Sequence, residues 1–138
     1  MKRIAILASG EGTNAENIIR YFSERKTAKV VVVITNKAQA GVLNRADKLG
    51  IPTEFIPAQD FTEGRALEVL HRYQTDFIAL AGFLLRVPDD ILHDYPNKIV
   101  NIHPALLPKF GGKGMYGNRV HEAVIAAAEK ESGITIHF

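Results

Sequence analysis

The sequence predicts an α/β fold: a single domain with a mostly parallel sheet and helices on both faces. Three observations predict it. Short apolar runs alternate with segments of helical periodicity along the whole chain. The apolar runs lack polar alternation, as strands buried on both faces do. A glycine-rich turn, Ser9-Gly10-Glu11-Gly12-Thr13-Asn14, separates the first such run from the first helical segment. Strand–helix alternation of this kind gives parallel strands joined by right-handed crossovers. No internal repeat, linker or low-complexity tract interrupts the 138 residues, so one domain over 1–138 is expected.

Taken in order, Ile4 to Ala8 is the first strand. Ala15 to Arg25 follows as a helix, with Ile18, Ile19 and Phe22 on one side. Val30 to Ile34, four valines and an isoleucine, is the most strand-like run. Val42 to Leu49 is a helix closed by Gly50 at the C′ position. Thr53 to Ile56 is the third strand. Thr62 begins a helix reaching about Tyr73, with Leu67, Leu70 and Tyr73 on its inner stripe. Asp76 to Ala81 is the fourth strand, and Pro88 to His93 a short helix with proline in its first turn. Ile99 to Ile102 is the fifth strand. An alanine-rich helix over Asn118 to Glu129 and a strand from Ile134 to Phe138 complete the pattern.

Composition excludes several classes. The chain is 46% apolar and 23% charged, which is ordinary for a folded domain and argues against disorder. The formal charge is +2 and the basic residues are scattered, so nucleic-acid binding gains no support. There is no cysteine, which excludes disulfides, thiolate nucleophiles and cysteine-based zinc sites and is compatible with the cytoplasm. Ser9-Gly10-Glu11 cuts the first apolar run too early for a signal peptide, and no run is long enough to span a membrane. No metal is implied, because His103 and His137 have no clustered carboxylate or cysteine.

Three stretches carry candidate chemistry. In the glycine turn, Gly10 and Gly12 let the backbone approach a ligand closely. The helix that follows aims free N–H groups and its positive dipole end at the turn, which suits a phosphate. Thr13 and Asn14 add side-chain donors. A plain strand-to-helix turn without a ligand is the alternative. The spacing Gly10-x-Gly12-x-x-Ala15 loosely fits the dinucleotide fingerprint, but Thr35-Asn36-Lys37 stands where that fingerprint needs an acid. There is no Gly-Lys-Ser or Gly-Lys-Thr either, so a phosphate on a smaller ligand fits better.

The second stretch runs from Asp76 to Pro88. A buried strand ends at Gly82, and Phe83 to Val87 continue as apolar chain near the ligand edge of the sheet. Flat heterocycles bind against such walls; on residue type alone, Phe83, Leu84 and Val87 would be core. The third stretch is Asn101-Ile102-His103-Pro104. On an extended segment the amide and the imidazole share a face. Pro104 holds His103 extended, so the pair is presented at a strand end, where open α/β sheets bind ligands.

Asn101-Ile102-His103-Pro104-Ala105-Leu106-Leu107-Pro108 resembles the core motif of the folate-dependent formyltransferases, most closely the branch that formylates phosphoribosylglycinamide in purine synthesis. The resemblance covers essentially the whole sequence and implies their Rossmann-like fold. It implies that Ser9, Gly10, Gly12, Thr13 and Asn14 form the turn holding the ribonucleotide phosphate, with Thr13 where the family accepts Ser or Thr. It implies that Leu80-Ala81-Gly82-Phe83 leads into the folate segment, where the backbone of Leu84, Leu85, Arg86 and Val87 reads the pterin-like ring. Asn101 and His103 would be the catalytic pair, with Asn101 also facing the folate. The co-substrate implied is 10-formyltetrahydrofolate, and the partners are small molecules alone.

The resemblance also locates a carboxylate beside the histidine, on a loop after a strand beginning Gly-x-Thr-x-His-Phe. Gly133-Ile134-Thr135-Ile136-His137-Phe138 matches that strand and the sequence stops there, so a chain incomplete at its C-terminus is expected. Asp89, Asp90 and Asp94 are poor substitutes, being expected on a solvated helix face. His71 and His93 fall on helices and read as surface residues. His121 follows the glycine-dense stretch Gly111–Gly117, which is either a closing loop or an ordinary connection. Two further functions stay open beside the transferase: a catalytically silent nucleotide-binding fragment, and a formyltetrahydrofolate hydrolase.

Overall fold

Continuous apolar runs make the central strands, and the computed structural model, which describes residues 2–25 and 27–102, buries them. Ile4, Ala5, Ile6 and Leu7 are sealed from solvent in β1 (Lys2–Leu7), as are Val32 to Ile34 in β2 (Ala28–Thr35). β3 (Thr53–Phe55), β4 (Phe77–Ala81) and β5 (Ile99–Ile102) complete a sheet of order β3-β2-β1-β4-β5, with every pair parallel. The expected helix 118–129, strand 134–138, loop 111–117 and residues His103, His121 and His137 lie outside the described residues.

Strand order explains the two helical layers. The chain steps outward from β1 through β2 to β3, then returns past β1 to β4 and β5. Right-handed crossovers taken in opposite directions put their helices on opposite faces. α1 (Thr13–Arg25) and α2 (Gly41–Lys48) cover one face, packing Ile18, Phe22, Val42 and Ala46 on Ile4, Ile6, Val33 and Ala79. α3 (Ala58–Phe61), α4 (Arg65–Arg72) and α5 (Asp89–Asp94) cover the other, packing Phe61, Val69, Leu70 and Ile91 on Leu7, Ile34, Ile78 and Leu80.

Three local features depart from the sequence expectation. The valine run of β2 holds one residue too many: Ile4 pairs with Val30 and Ala5 with Val32, so Val31 is bulged out of register. The helix expected from Thr62 to about Tyr73 starts later, as α4 at Arg65, and a separate short helix, α3, precedes it and ends at Phe61. Gly64 adopts φ +88° between them, and the Thr62 hydroxyl donates back to the Gln59 carbonyl at 2.9 Å instead of capping a helix ahead. The inner stripe of α4 is Ala66, Val69 and Leu70, with Leu67 and Tyr73 only partly buried. Gly50 closes α2 as expected: its φ is +75°, its N–H donates to Asp47 O, and the Ile51 N–H donates to Ala46 O.

Candidate functional site

At the end of β1 the backbone changes partners. Ala8 N–H donates to Ile34 O of β2 at 3.0 Å, and the next residue, Ser9, donates to Gly82 O beyond β4 at 3.2 Å. This is where the strand order reverses, the position at which open α/β sheets form a ligand crevice. A crevice of about 190 Å³ opens there. Its walls are Gly10 to Asn14 on one side and Ala81 and Gly82 on the other, so two of the three singled-out stretches meet.

The turn is held from behind by α2. Val42 N–H donates to Gly10 O at 3.1 Å, and Arg45 Nε donates to Glu11 O at 2.7 Å. In a trans peptide the carbonyl and the following N–H point in opposite directions. With both carbonyls engaged by α2, the N–H groups of Glu11 and Gly12 are turned away from it. The first three N–H groups of α1 have no acceptor within the helix; Glu16 N–H makes its first bond, to Gly12 O at 2.8 Å. Together these amides form an anion-binding concavity. The Glu11 carboxylate does not fill it, because Oε2 lies over Gly41 on the α2 side.

Gly12 and Gly10 differ in what they permit. Gly12 adopts φ +84°, and a β-carbon there would meet Val42 Cγ2 at 2.5 Å. Gly10 has nothing within 4 Å of the place a β-carbon would take, and it lines the crevice. Thr13 is exposed and Asn14 half-buried, both on the crevice wall in the first turn of α1. That helix starts two residues earlier than expected, because Gly12 supplies the left-handed residue before it.

An ion-pair network braces the same wall. Glu16 Oε1 accepts from Arg45 Nη1 at 2.7 Å, and Oε2 accepts from Arg20 Nε at 2.8 Å. The hydrogen bond from Arg45, followed by that from Arg20, holds the Glu16 carboxyl below its ordinary value. Arg45 therefore ties α2 to both the turn and α1.

Past Gly82 the chain alternates. Phe83, Leu85 and Val87 pack on the α3–α5 face of the core, while Leu84 and Arg86 point out. Leu84 is 76% exposed, a large apolar side chain standing free beside the crevice end of β4. Arg86 Nη2 donates to Asp89 Oδ1 at 3.0 Å on the surface. Asp94 pairs with His71, and both are exposed. Asn101 is half-buried near the end of β5, in register with Leu80 and therefore on the face of Leu80 and Ile99. His103 lies outside the described residues.

One residue escaped the sequence reading. Asn36 Oδ1 accepts a hydrogen bond from Ser9 Oγ at 2.6 Å, tying the end of β2 to the turn. Position 36 drew notice only for lacking a carboxylate. The available signal was its place, directly after a strand and beside the switch point.

A family model described as formyl transferase matches residues 2–138. The chain belongs to the formyl transferase family. It is 39% identical over 144 residues to the chloroplastic phosphoribosylglycinamide formyltransferase of Arabidopsis thaliana, covering 99% of this chain and 49% of that protein. It is 35% identical over 144 residues to the phosphoribosylglycinamide formyltransferase of Bacillus subtilis, covering 100% of this chain and 71% of that one. The fold superposes on glycinamide ribonucleotide transformylase 1 of Symbiobacterium toebii with a TM-score of 0.72 and 36% identity, over 81% of this chain and 56% of that one. The chain thus spans about half the length of the first of these relatives. Within this formyl transferase chain, the glycine turn faces Ala81 and Gly82, the strand end that leads into the Phe83–Val87 segment, across one crevice. Among the described residues no helix is long and apolar enough to cross a membrane.

Proposed function

We propose that this chain carries the substrate-binding and donor residues of a phosphoribosylglycinamide formyltransferase in purine synthesis. The reaction moves a formyl group from 10-formyltetrahydrofolate to the amine of phosphoribosylglycinamide. The observation that carries the proposal is the crevice at the switch point, where the glycine turn faces Gly82 and the Leu84 N–H donates to Ser9 Oγ of the turn.

The roles are those the family resemblance implies, and residue chemistry supports them. Gly10, Gly12, Thr13 and Asn14 hold the ribonucleotide phosphate on the open amides of the turn. Leu84, Leu85, Arg86 and Val87 present backbone groups to the folate ring. Outward Leu84 supports this by offering an apolar surface, and inward Leu85 and Val87 fix the backbone that does the reading. The substrate amine attacks the formyl carbon and gives a tetrahedral intermediate with an oxyanion. Asn101 and protonated His103 donate to that oxygen. The carbon–nitrogen bond to the folate then breaks; the folate nitrogen takes a proton from His103, and the attacking amine passes one to the imidazole that this leaves neutral.

An unperturbed imidazole has a pKa of about 6.5, so His103 needs a carboxylate nearby to stay protonated. Asp89 is paired with Arg86 and Asp94 with His71, so neither is free for that role.

The test is formyl transfer followed by ultraviolet absorbance of the folate product. His103→Ala is expected to lower turnover by about 10²–10⁴-fold while ribonucleotide affinity stays within about twofold. Retained turnover in that variant sinks the assignment of His103, and no transfer by the unaltered protein sinks the proposal.

A further inference from the structure

Ser9 belongs to the turn motif, yet its hydroxyl does not face the chemistry that the motif implies. The residue is 5% exposed, and both of its hydrogens, hydroxyl and amide, are committed. Leu84 N–H donates to Ser9 Oγ at 2.9 Å. A backbone N–H can only donate, so the serine oxygen is the acceptor there. The single hydroxyl hydrogen goes to Asn36 Oδ1 at 2.6 Å. The Ser9 backbone N–H goes to Gly82 O at 3.2 Å. A phosphate oxygen accepts hydrogen bonds, and Ser9 has no hydrogen left to offer one without releasing Asn36.

What these bonds join is informative. Ser9 follows β1, Asn36 follows β2, and Gly82 and Leu84 follow β4. One buried side chain therefore gathers the ends of three neighbouring strands. The peptide N–H it holds is that of Leu84, the first residue of the segment assigned to the folate ring. The next inward side chains of that segment, Leu85 and Val87, are fixed by core packing. Leu84, with its side chain in solvent, has its place set by this hydrogen bond.

We propose that Ser9 is a positioning residue for the folate subsite, not a phosphate ligand. Asn36 orients its hydroxyl, Ser9 Oγ fixes the Leu84 peptide against the glycine turn, and the ring subsite is thereby built upon the phosphate subsite. This inference rests on the function proposed above and adds to it a physical link between the two subsites.

The test measures the two subsites separately, with ribose 5-phosphate probing the turn and tetrahydrofolate, the product left after transfer, probing the ring segment. In Ser9→Ala, tetrahydrofolate is expected to bind at least about fivefold more weakly, with ribose 5-phosphate within about twofold. The KM for the formyl donor rises more than kcat falls, and the Leu84 amide loses protection from hydrogen exchange. Ser9→Thr keeps the hydroxyl and is expected to recover most of the tetrahydrofolate affinity. Asn36→Ala leaves the serine in place and tests the link should Ser9→Ala fail to fold; it is expected to weaken tetrahydrofolate alone. Loss of ribose 5-phosphate affinity as large as that of tetrahydrofolate, in either alanine variant, overturns the inference and makes Ser9 a phosphate ligand. Unchanged affinities for both overturn it too. An unaltered protein that binds no tetrahydrofolate overturns the functional proposal itself, and the inference with it.

Discussion

At position 12 a β-carbon would lie 2.5 Å from Val42 Cγ2 and 2.7 Å from Val42 Cα, on a backbone at φ +84°. Moving Val42 Cα means moving the start of α2, so the side chain cannot simply turn aside. Gly12→Ala is expected to cost about 2–4 kcal/mol, combining left-handed strain with overpacking. Gly10→Ala meets open space. It is expected to leave stability within about 0.5 kcal/mol and to weaken ribose 5-phosphate about tenfold by filling the crevice. Urea unfolding and calorimetric titration of the two variants check the split; a stable Gly12→Ala protein would refute the steric account. From sequence, Gly10 and Gly12 looked alike, both suited to close approach of a ligand. Their difference depends on Val42, thirty positions on in the chain, which only the packing of α2 against the turn brings near.

Helix ends show the same boundary between local and distant causes. Gly50 was legible as the end of α2 because a C′ glycine serves its own helix. α4 ends in the same hydrogen-bond pattern, with Thr75 N–H on Leu70 O and Gln74 N–H on His71 O. Its left-handed residue, however, is Gln74 at φ 53°. Arg3, from the first strand, covers this end: its Nε and Nη2 donate to Tyr73 O at 3.0 and 2.9 Å. No pattern local to residues 65–75 announces that partner. Gln74→Gly removes the left-handed strain of about 1–2 kcal/mol and returns part of it as unfolded-chain entropy. A net gain of about 0.5–1 kcal/mol is expected, read as a higher urea midpoint; a lower midpoint would mean the glutamine side chain contributes more than its backbone costs. The break at Gly64 was missed for the opposite reason. Thr62 looked like the cap of the helix after it, and its hydroxyl turned back to Gln59.

Across the molecule, the parallel sheet and its two helical layers followed from apolar runs, glycines and strand alternation, while the nearness of the turn to the Gly82–Val87 segment was implied by the family resemblance. The Ser9–Asn36 bond followed from neither, since it depends on which strand ends become neighbours. The same dependence governs titration. Tyr95 is buried and donates to Thr75 O at 3.1 Å. Burial, and then the charges of Asp94 and Asp76, push its phenol up to about 12. A raised pKa favours the neutral form in the folded protein. Its contribution is therefore complete below the unfolded value of about 10 and is lost as pH rises from there through about 12. Glu16 works at the other end, because its lowered pKa makes the folded state lose stability as acid titrates it below its ordinary value of 4.5. Tyr95→Phe is expected to be less stable than the unaltered protein at pH 8, by about 1 kcal/mol for the lost hydrogen bond, and to show a flatter decline between pH 10 and 12. Urea unfolding across that range checks it, and parallel declines in the two proteins would refute the role of Tyr95.

The sheet order has a further consequence, for which parts of the protein can breathe while it works. β1 lies in the centre, paired along its length with β2 and along four residues with β4, and it ends directly in the glycine turn. β3 is a three-residue edge strand, half-buried at Thr53 and Glu54 and exposed at Phe55. Local opening begins where contacts are few. The edge can fray and reclose without disturbing the strand that carries the turn, so the crevice is anchored in the part of the protein that opens last.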